Sequence, residues 1–505
     1  MKKNSVLKVI CPLVCVIPVV MVLSVGCSPK KITPTSQNSQ VPTTLTTSTT
    51  PTSIPPASTP PATQPTSPTI LPPTARVPVV TTVTPPAALI RSRSTLDATQ
   101  YVVFAWNDLG MHCANPSYDI AVLLPPYNTL WAQVIKRGNP PQIVTSGITV
   151  EYSFVSNTYS YGKGQYSQFW DNMTKLFGVS LNKNTGLNLK DANIHNGLTG
   201  KMTADNDHFE ADGIPLTPIN DNGTWNPYQV AQIIVKDAAG RTLASTDAMA
   251  PISDEINCAK CHGPDAFNDI LVKHDARNGT NLVSQKPVLC ASCHGDPALG
   301  KSDAGPFDYL SERIHGFHAT VNPQPTCYDC HPGASTQCSR SIAHTAADGN
   351  CKTCHGDLAN VSTSIENGRT PWVSEPKCVT CHAGVAEIDT QTTLYRNAMG
   401  HGGVYCASCH SSPHAMVPSS QATDNYQAMQ YQGAALPIGS CGACHSSSRG
   451  RNNMGEFAEA HAGTNPEVKN AGFICHTAIL TNTAKWPHAF QWRAVATQGQ
   501  IRGGD

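Results

Sequence analysis

At 505 residues the chain is long enough for two or three domains, and 34 basic residues balance 34 acidic ones to a formal charge of zero. That balance, with no basic cluster, argues against nucleic acid and against an anionic membrane surface as partners. The 20 cysteines and 40 prolines are spread unevenly, and their distribution divides the chain.

Lys2, Lys3 and Lys8 flank an apolar run from Val9 to Val25, which ends in Gly26-Cys27. This predicts an export signal over residues 1–27. It resembles a bacterial lipoprotein signal, in which Cys27 becomes the acylated first residue. Ser24 stands where that pattern prefers an aliphatic residue, so an uncleaved membrane anchor is the alternative. Either way the rest is expected outside the cytoplasm and anchored, at the outer membrane or cell surface. Residues 28–95 are almost wholly Pro, Thr, Ser and small residues and cannot bury a core. They predict a disordered tether that reaches up to ~200 Å at ~3.1 Å per residue in polyproline II.

Residues 96–250 predict an all-β domain, an immunoglobulin-like antiparallel sandwich. Tyr101 to Trp106 reads as a buried strand, and Ile148, Val150, Tyr152 and Phe154 alternate with polar residues at period two. Gln232 to Lys236 and Thr242 to Ala244 read as a hairpin, and one helix is expected over 166–177. Trp106 to Cys113 gathers Asp108, Met111, His112 and Cys113. That set could ligate copper or cap a haem, or be a polar loop with Cys113 buried or bridged. His195 and His208 receive no role. Tyr152, Tyr159, Tyr161, Tyr166, Trp170 and Trp225 are core or, alternatively, line a groove.

From Cys258 to His445 one word, Cys-x-x-Cys-His, recurs seven times. Its copies are Cys258/Cys261/His262, Cys290/Cys293/His294, Cys327/Cys330/His331, Cys351/Cys354/His355, Cys378/Cys381/His382, Cys406/Cys409/His410 and Cys441/Cys444/His445. Two thiols three apart add to the two vinyl groups of one haem, and the next imidazole becomes the proximal iron ligand. Zinc clusters and disulfide frameworks do not require that histidine. Seven covalently bound haems c are therefore expected. Motif starts lie only 24 to 37 residues apart. Residues 251–490 thus predict one cofactor-organised domain of short helices and loops, followed by a tail over 491–505.

Distal iron ligands are sought among the histidines outside the motifs: His274, His315, His318, His344, His401, His414, His461 and His488. His315 and His318, three apart, are expected to serve two different irons. Met399, Met416, Met429 and Met454 are alternatives that raise potential. Cys475-His476 has the form of the motif with Gly472 in place of its first cysteine. It marks a degenerate eighth haem site, or Cys475 pairs with Cys338 or Cys113.

Residues 250–490 resemble a multihaem c-type cytochrome of the exported bacterial kind, and the front domain resembles those placed ahead of such arrays. The resemblance implies electron transfer along closely spaced haems, from an envelope donor to an extracellular acceptor or another redox protein, with a filament of like subunits as a variant. A multihaem oxidoreductase acting on a small nitrogen or sulfur compound is the rival. It requires an open iron, and neither a motif lysine nor a shortage of distal ligands points to one.

Overall fold

The computed structural model describes residues 100–138, 140–333, 335–344, 351–381 and 393–446, all within the compact unit Leu71–Asp505. Cys27 and the export signal, the tether, His382, His461, Cys475, His476, His488 and the tail lie outside the described residues. Among the described residues no helix is long and apolar enough to cross a membrane.

The strands in chain order are β1 Tyr101–Asn107, β2 His112–Cys113, β3 Ala121–Val122, β4 Asn128–Lys136, β5 Gln142–Ile143, β6 Ile148–Phe154, β7 Thr199–Lys201, β8 Thr203–Asp205, β9 His208–Ile214, β10 Val230–Asp237, β11 Thr242–Met249, β12 Ile252–Ser253 and β13 Val288–Leu289. One antiparallel sheet has the order β1-β4-β9-β8 with β5 added to β4, and a second has the order β11-β10-β6-β7. The expected hairpin is β10-β11, with Gly240 at φ +78° in its turn. The expected helix over 166–177 is instead two short ones, Ser167–Asp171 and Met173–Phe177, broken at Asn172 (φ −104°, ψ 6°).

Strand periodicity explains how the sheets stack, because alternate residues face opposite sides. Val103 and Ala105 of β1 and Leu130, Ala132 and Val134 of β4 share one core with Val150, Tyr152 and Phe154 of β6 and Ala231, Ile233 and Val235 of β10. Tyr166 and Trp170 join this core, so these aromatics are packing residues. The opposite face of the first sheet, Val102, Phe104, Trp106, Trp131 and Ile135, packs against Tyr395, Tyr405, Ala407, Tyr431 and Ala443. β1 is thus buried on both sides, which is why its sequence is a continuous apolar run rather than an alternation. β pairing also crosses residue 250: β12 pairs parallel to β2 and β13 parallel to β3.

Candidate haem array

Each described motif forms a single helical turn, for example Cys351–His355 and Cys406–His410 as α-helix and Cys290–Ser292 and Cys327–Asp329 as 3-10 helix. The His262, His294 and His331 amides donate to the carbonyls of Cys258, Cys290 and Cys327, four positions back. One turn therefore puts both thiols and the imidazole on one face, the geometry a single porphyrin requires. Burial pushes the thiols of Cys258 up to about 11 and of Cys290 and Cys409 up to about 12.

The motif thiols differ in enclosure. In the first motif Cys258 is half-buried and Cys261 exposed; in the second Cys290 and Cys293 are both half-buried, and in the fifth Cys378 and Cys381 are both exposed. The first, third, fourth and fifth motif turns bury no side chain of their own. The amides of Cys261, Cys293 and Cys381 donate to the carbonyls of Cys258, Cys290 and Cys378, each at 3.2 Å. Cys293 and Cys381, at φ −120° and −108°, close their 3-10 turns instead of lying within them. All three are thiols outside any disulfide, the form that adds to a vinyl group.

Among the described residues, His262, His294, His331 and His355 each face a histidine from outside the motifs. Ring centres are 6.5 Å apart for His262 and His318, 6.5 Å for His294 and His274, 6.1 Å for His331 and His315, and 6.3 Å for His355 and His414. A metal–imidazole bond of about 2.0 Å on each side, plus about 1.1 Å from nitrogen to ring centre, sets two axial rings about 6.2 Å apart. The spacing fits one iron between each pair. The helix Leu310–His318 contributes to two pairs, because residues three apart lie on adjacent parts of one face.

In six of the eight rings Nδ1 has the kind of partner a metal-ligating histidine needs. Nδ1 donates to the carbonyl of Phe307 from His294 (2.9 Å), of Ile314 from His318 (2.8 Å), of Ser311 from His315 (2.6 Å) and of Leu109 from His414 (2.9 Å). His274 Nδ1 donates to Thr280 Oγ1 at 2.9 Å, whose own proton goes to Asp275. His262 Nδ1 meets Asp269 Oδ2 at 2.6 Å. These bonds occupy Nδ1 and leave Nε2 as the nitrogen available to an iron. Burial, then neighbouring imidazoles, pushes His331 and His355 down to about 4. Burial first also lowers His274, His294, His315 and His414, so the rings are neutral, the form that binds iron.

The motifs lie close in a definite series. Cys258 lies near both Cys290 and Cys330, which links the first motif to the second and third. His355 sits in the field of His315 and His331 in the field of His355, which links the third to the fourth. Cys354 acts on Cys378, and Tyr395 lies among Cys406, Cys378 and Cys409. Cys406 and Cys444 pack against one apolar cluster.

The first sheet is built into this array. Buried Gln133 of β4 accepts from the Tyr405 amide (3.2 Å) and Ser408 Oγ (3.2 Å) and donates to the Gly403 carbonyl (3.1 Å), holding the sixth motif. Arg137 donates to the Gly442 carbonyl at 2.8 Å and Gly138 bridges to His445, holding the seventh, whose turn begins at Cys441. The stretch Trp106 to Cys113 runs from the end of β1 through a loop at Asp108 to Met111 into β2, and is tied by Asn107, whose Oδ1 accepts from the amides of Leu109 (3.0 Å) and Gly110 (2.6 Å). Its Leu109 carbonyl orients His414, while Asp108 and His112 engage each other at 2.8 Å. Cys113 and Cys338 are unbridged, and burial raises both thiols, that of Cys338 to about 11.

His344 ends the 3-10 turn Ile342–His344 with Ser341 Oγ 3.5 Å from its Nδ1, and His401 begins the turn His401–Gly403. His195 is exposed. His208, given no role from sequence, clusters with Asp205 and Glu210. The signal was present in Asp205-Asn206-Asp207-His208-Phe209-Glu210, where a tight turn brings Asp205 opposite His208 and period two puts Glu210 beside it.

Residues 359–411, spanning the fifth and sixth motifs, match the sequence model of the family described as cytochrome c554 and c-prime. That match supports a c-type cytochrome. The solved structure of MtrC from Shewanella baltica OS185 aligns over 52% of this chain and 45% of its own, at 11% identity and a TM-score of 0.13, too slight to carry a fold argument. The aligned part is less than half of that chain. No curated protein matches.

Proposed function

We propose that this chain is an exported, lipid-anchored multihaem c-type cytochrome that relays electrons between an envelope donor and an extracellular acceptor or partner cytochrome, with stacking of like subunits as a variant. The seven motifs attach haem c, and Cys475-His476 is the degenerate copy that would hold an eighth. His262 with His318, His294 with His274, His331 with His315 and His355 with His414 would each hold one iron. His344, His401, His461 and His488 serve the remaining irons. The observation that carries this reading is the set of four facing imidazole pairs spaced for an iron.

Bound haem supplies reversible one-electron exchange. The chain's residues hold each ring, fix its proton on Nδ1 and bring consecutive motifs close enough for electrons to pass. The two-sheet part, immunoglobulin-like in architecture, serves as the wall on which the sixth and seventh motifs and His414 are mounted.

The test is haem quantification by intact mass with low-spin and high-spin iron resolved in the purified holoprotein. Wholly low-spin iron, inert to carbon monoxide, is expected. A high-spin, carbon monoxide-reactive fraction near one haem per chain would replace this reading with a reductase or oxidase.

A further inference from the structure

The hairpin β8-β9 presents a second constellation, on residues separate from the motif and distal histidines. Asp205, His208 and Glu210 each offer one ligand atom, and these atoms lie within 4.8 Å of one another. His208 and Glu210 are 5% and 8% exposed, and His208 Nε2 and Glu210 Oε2 both lack a hydrogen-bond partner.

Proton placement makes that gap informative. Tyr405 Oη donates to Asp207 Oδ1 at 2.8 Å and lies 3.1 Å from His208 Nδ1, while Asp207 Oδ1 is 3.2 Å from the same nitrogen. With the hydroxyl proton on the carboxylate, Nδ1 must carry its own proton to meet either oxygen. A neutral ring then turns a bare lone pair from Nε2 toward Glu210 Oε2, an acceptor 3.6 Å away. Two facing acceptors need a cation between them. Two ligand atoms about 2.1 Å from a tetrahedral metal lie about 3.4 Å apart, so little closure is needed.

The surroundings favour a metal. Asp207 on Nδ1 is the carboxylate that fixes a ligating histidine in its tautomer. Trp131 lies against the imidazole, ring centres 4.4 Å apart, and locks its plane. Asp205, Glu210 and Asp212 line a cleft that gives entry from solvent. Lys190 takes Glu210 Oε1 at 2.6 Å and Asp205 Oδ2 at 2.8 Å, but its side chain is 54% exposed and Oε2 is not its partner. The rival occupant of the gap is a proton, which would make His208 an imidazolium.

We propose that Asp205, His208 and Glu210 form a binding site for one divalent cation of the borderline class that accepts mixed nitrogen and oxygen ligands, represented by Zn²⁺. Lys190 acts as a competing charge that keeps the affinity moderate. Tyr405 directly precedes Cys406, so the site is one hydrogen bond from the sixth haem motif.

Full-length holoprotein, stripped with chelator and titrated with Zn²⁺ alone, is expected to take up one equivalent that His208→Gln or Glu210→Gln weakens by at least ~100-fold. Lys190→Met should tighten it by ~10-fold, and Asp119→Asn, an exposed carboxylate outside that cleft, should leave it unchanged. Haem per chain, measured in the same samples, should stay constant in every variant, which separates failure here from failure of the haem assignment. Equal uptake by parent and His208→Gln protein, or none by either, overturns the proposal in favour of the proton. Should the variants fold poorly, anomalous scattering at the zinc edge from soaked crystals of unaltered protein decides: a peak at these three residues supports the site, and its absence there removes it.

Discussion

His414 donates its Nδ1 proton to the carbonyl oxygen of Leu109, 2.9 Å away and 305 positions earlier in the chain. A loop following the first strand thereby sets the plane of an imidazole that faces the fourth haem motif. Gly110 makes this approach close: its φ is +92°, and a Cβ there would stand 3.1 Å from the His414 amide nitrogen and 3.2 Å from its Cβ.

Gly110→Ala is therefore expected to cost about 1–3 kcal/mol in backbone strain and to push His414 away from His355. Total haem should not change. One iron should gain high-spin character and bind carbon monoxide, read by magnetic circular dichroism. A variant with unaltered spin state would disconnect the loop from the iron site.

The paired rings fall into two classes. His262/His318 and His274/His294 are near perpendicular, at 74° and 84°, whereas His315/His331 and His355/His414 are near parallel, at 21° and 27°. Perpendicular axial planes leave the iron d orbitals nearly degenerate, giving strongly anisotropic low-spin ferric signals, and parallel planes give rhombic ones. Electron paramagnetic resonance should show both. His318→Met should remove an anisotropic component and His315→Met a rhombic one, although they are three residues apart on one helix. A single signal class would contradict the pairing.

Arg340 and Asp424 form a buried bidentate pair, Nε to Oδ2 at 2.8 Å and Nη2 to Oδ1 at 3.0 Å, each side chain 1% exposed. The Arg340 amide also donates to the His414 carbonyl at 2.7 Å. Asp424→Ala strands a buried guanidinium and should cost about 3–5 kcal/mol, while Arg340→Met with Asp424→Leu should cost far less. Thermal unfolding followed by circular dichroism measures both, and equal losses would contradict this account.

Lys163, with only 3% of its side chain exposed, donates to Asp221 Oδ1 at 2.7 Å, Asn157 Oδ1 at 2.8 Å and the Ile219 carbonyl at 2.9 Å. Burial would raise the Asp221 carboxyl, but hydrogen bonds from Lys163 and Thr158 hold it below its ordinary value. A carboxyl lowered by folding binds fewer protons in the native state. Its stabilisation is thus complete above about pH 4 and fades as pH falls through the lowered value. Asp221→Asn should flatten that acid dependence and cost roughly 1–2 kcal/mol at neutral pH, read from melting temperatures across the acid range. A variant as acid-sensitive as the parent would assign the effect to another group.

Much of the β part was legible in the chain. Alternation at Val150, Tyr152 and Phe154 marked an inner face, and the unbroken run through Phe104 marked a strand covered on both sides. What covers it was not legible, because Tyr395, Tyr405 and Tyr431 approach from nearly 300 positions away or more. The helix over 166–177 was overextended, since an apolar pattern does not reveal the break at Asn172. Nor does the haem word show that Cys261 and Cys381 stand exposed while Cys293 is half-buried, since enclosure depends on what packs beside each turn.

The sequence by itself determined where each haem word lies, since two thiols and an imidazole within five residues share one helical turn whatever the rest does. Only the tertiary structure decided which histidine faces which, and that His208 gathers with Asp205 and Glu210. A facing imidazole comes from any distance along the chain, so its choice is fixed by packing, by a helix that presents His315 and His318 to two neighbours, and by a carbonyl at Leu109.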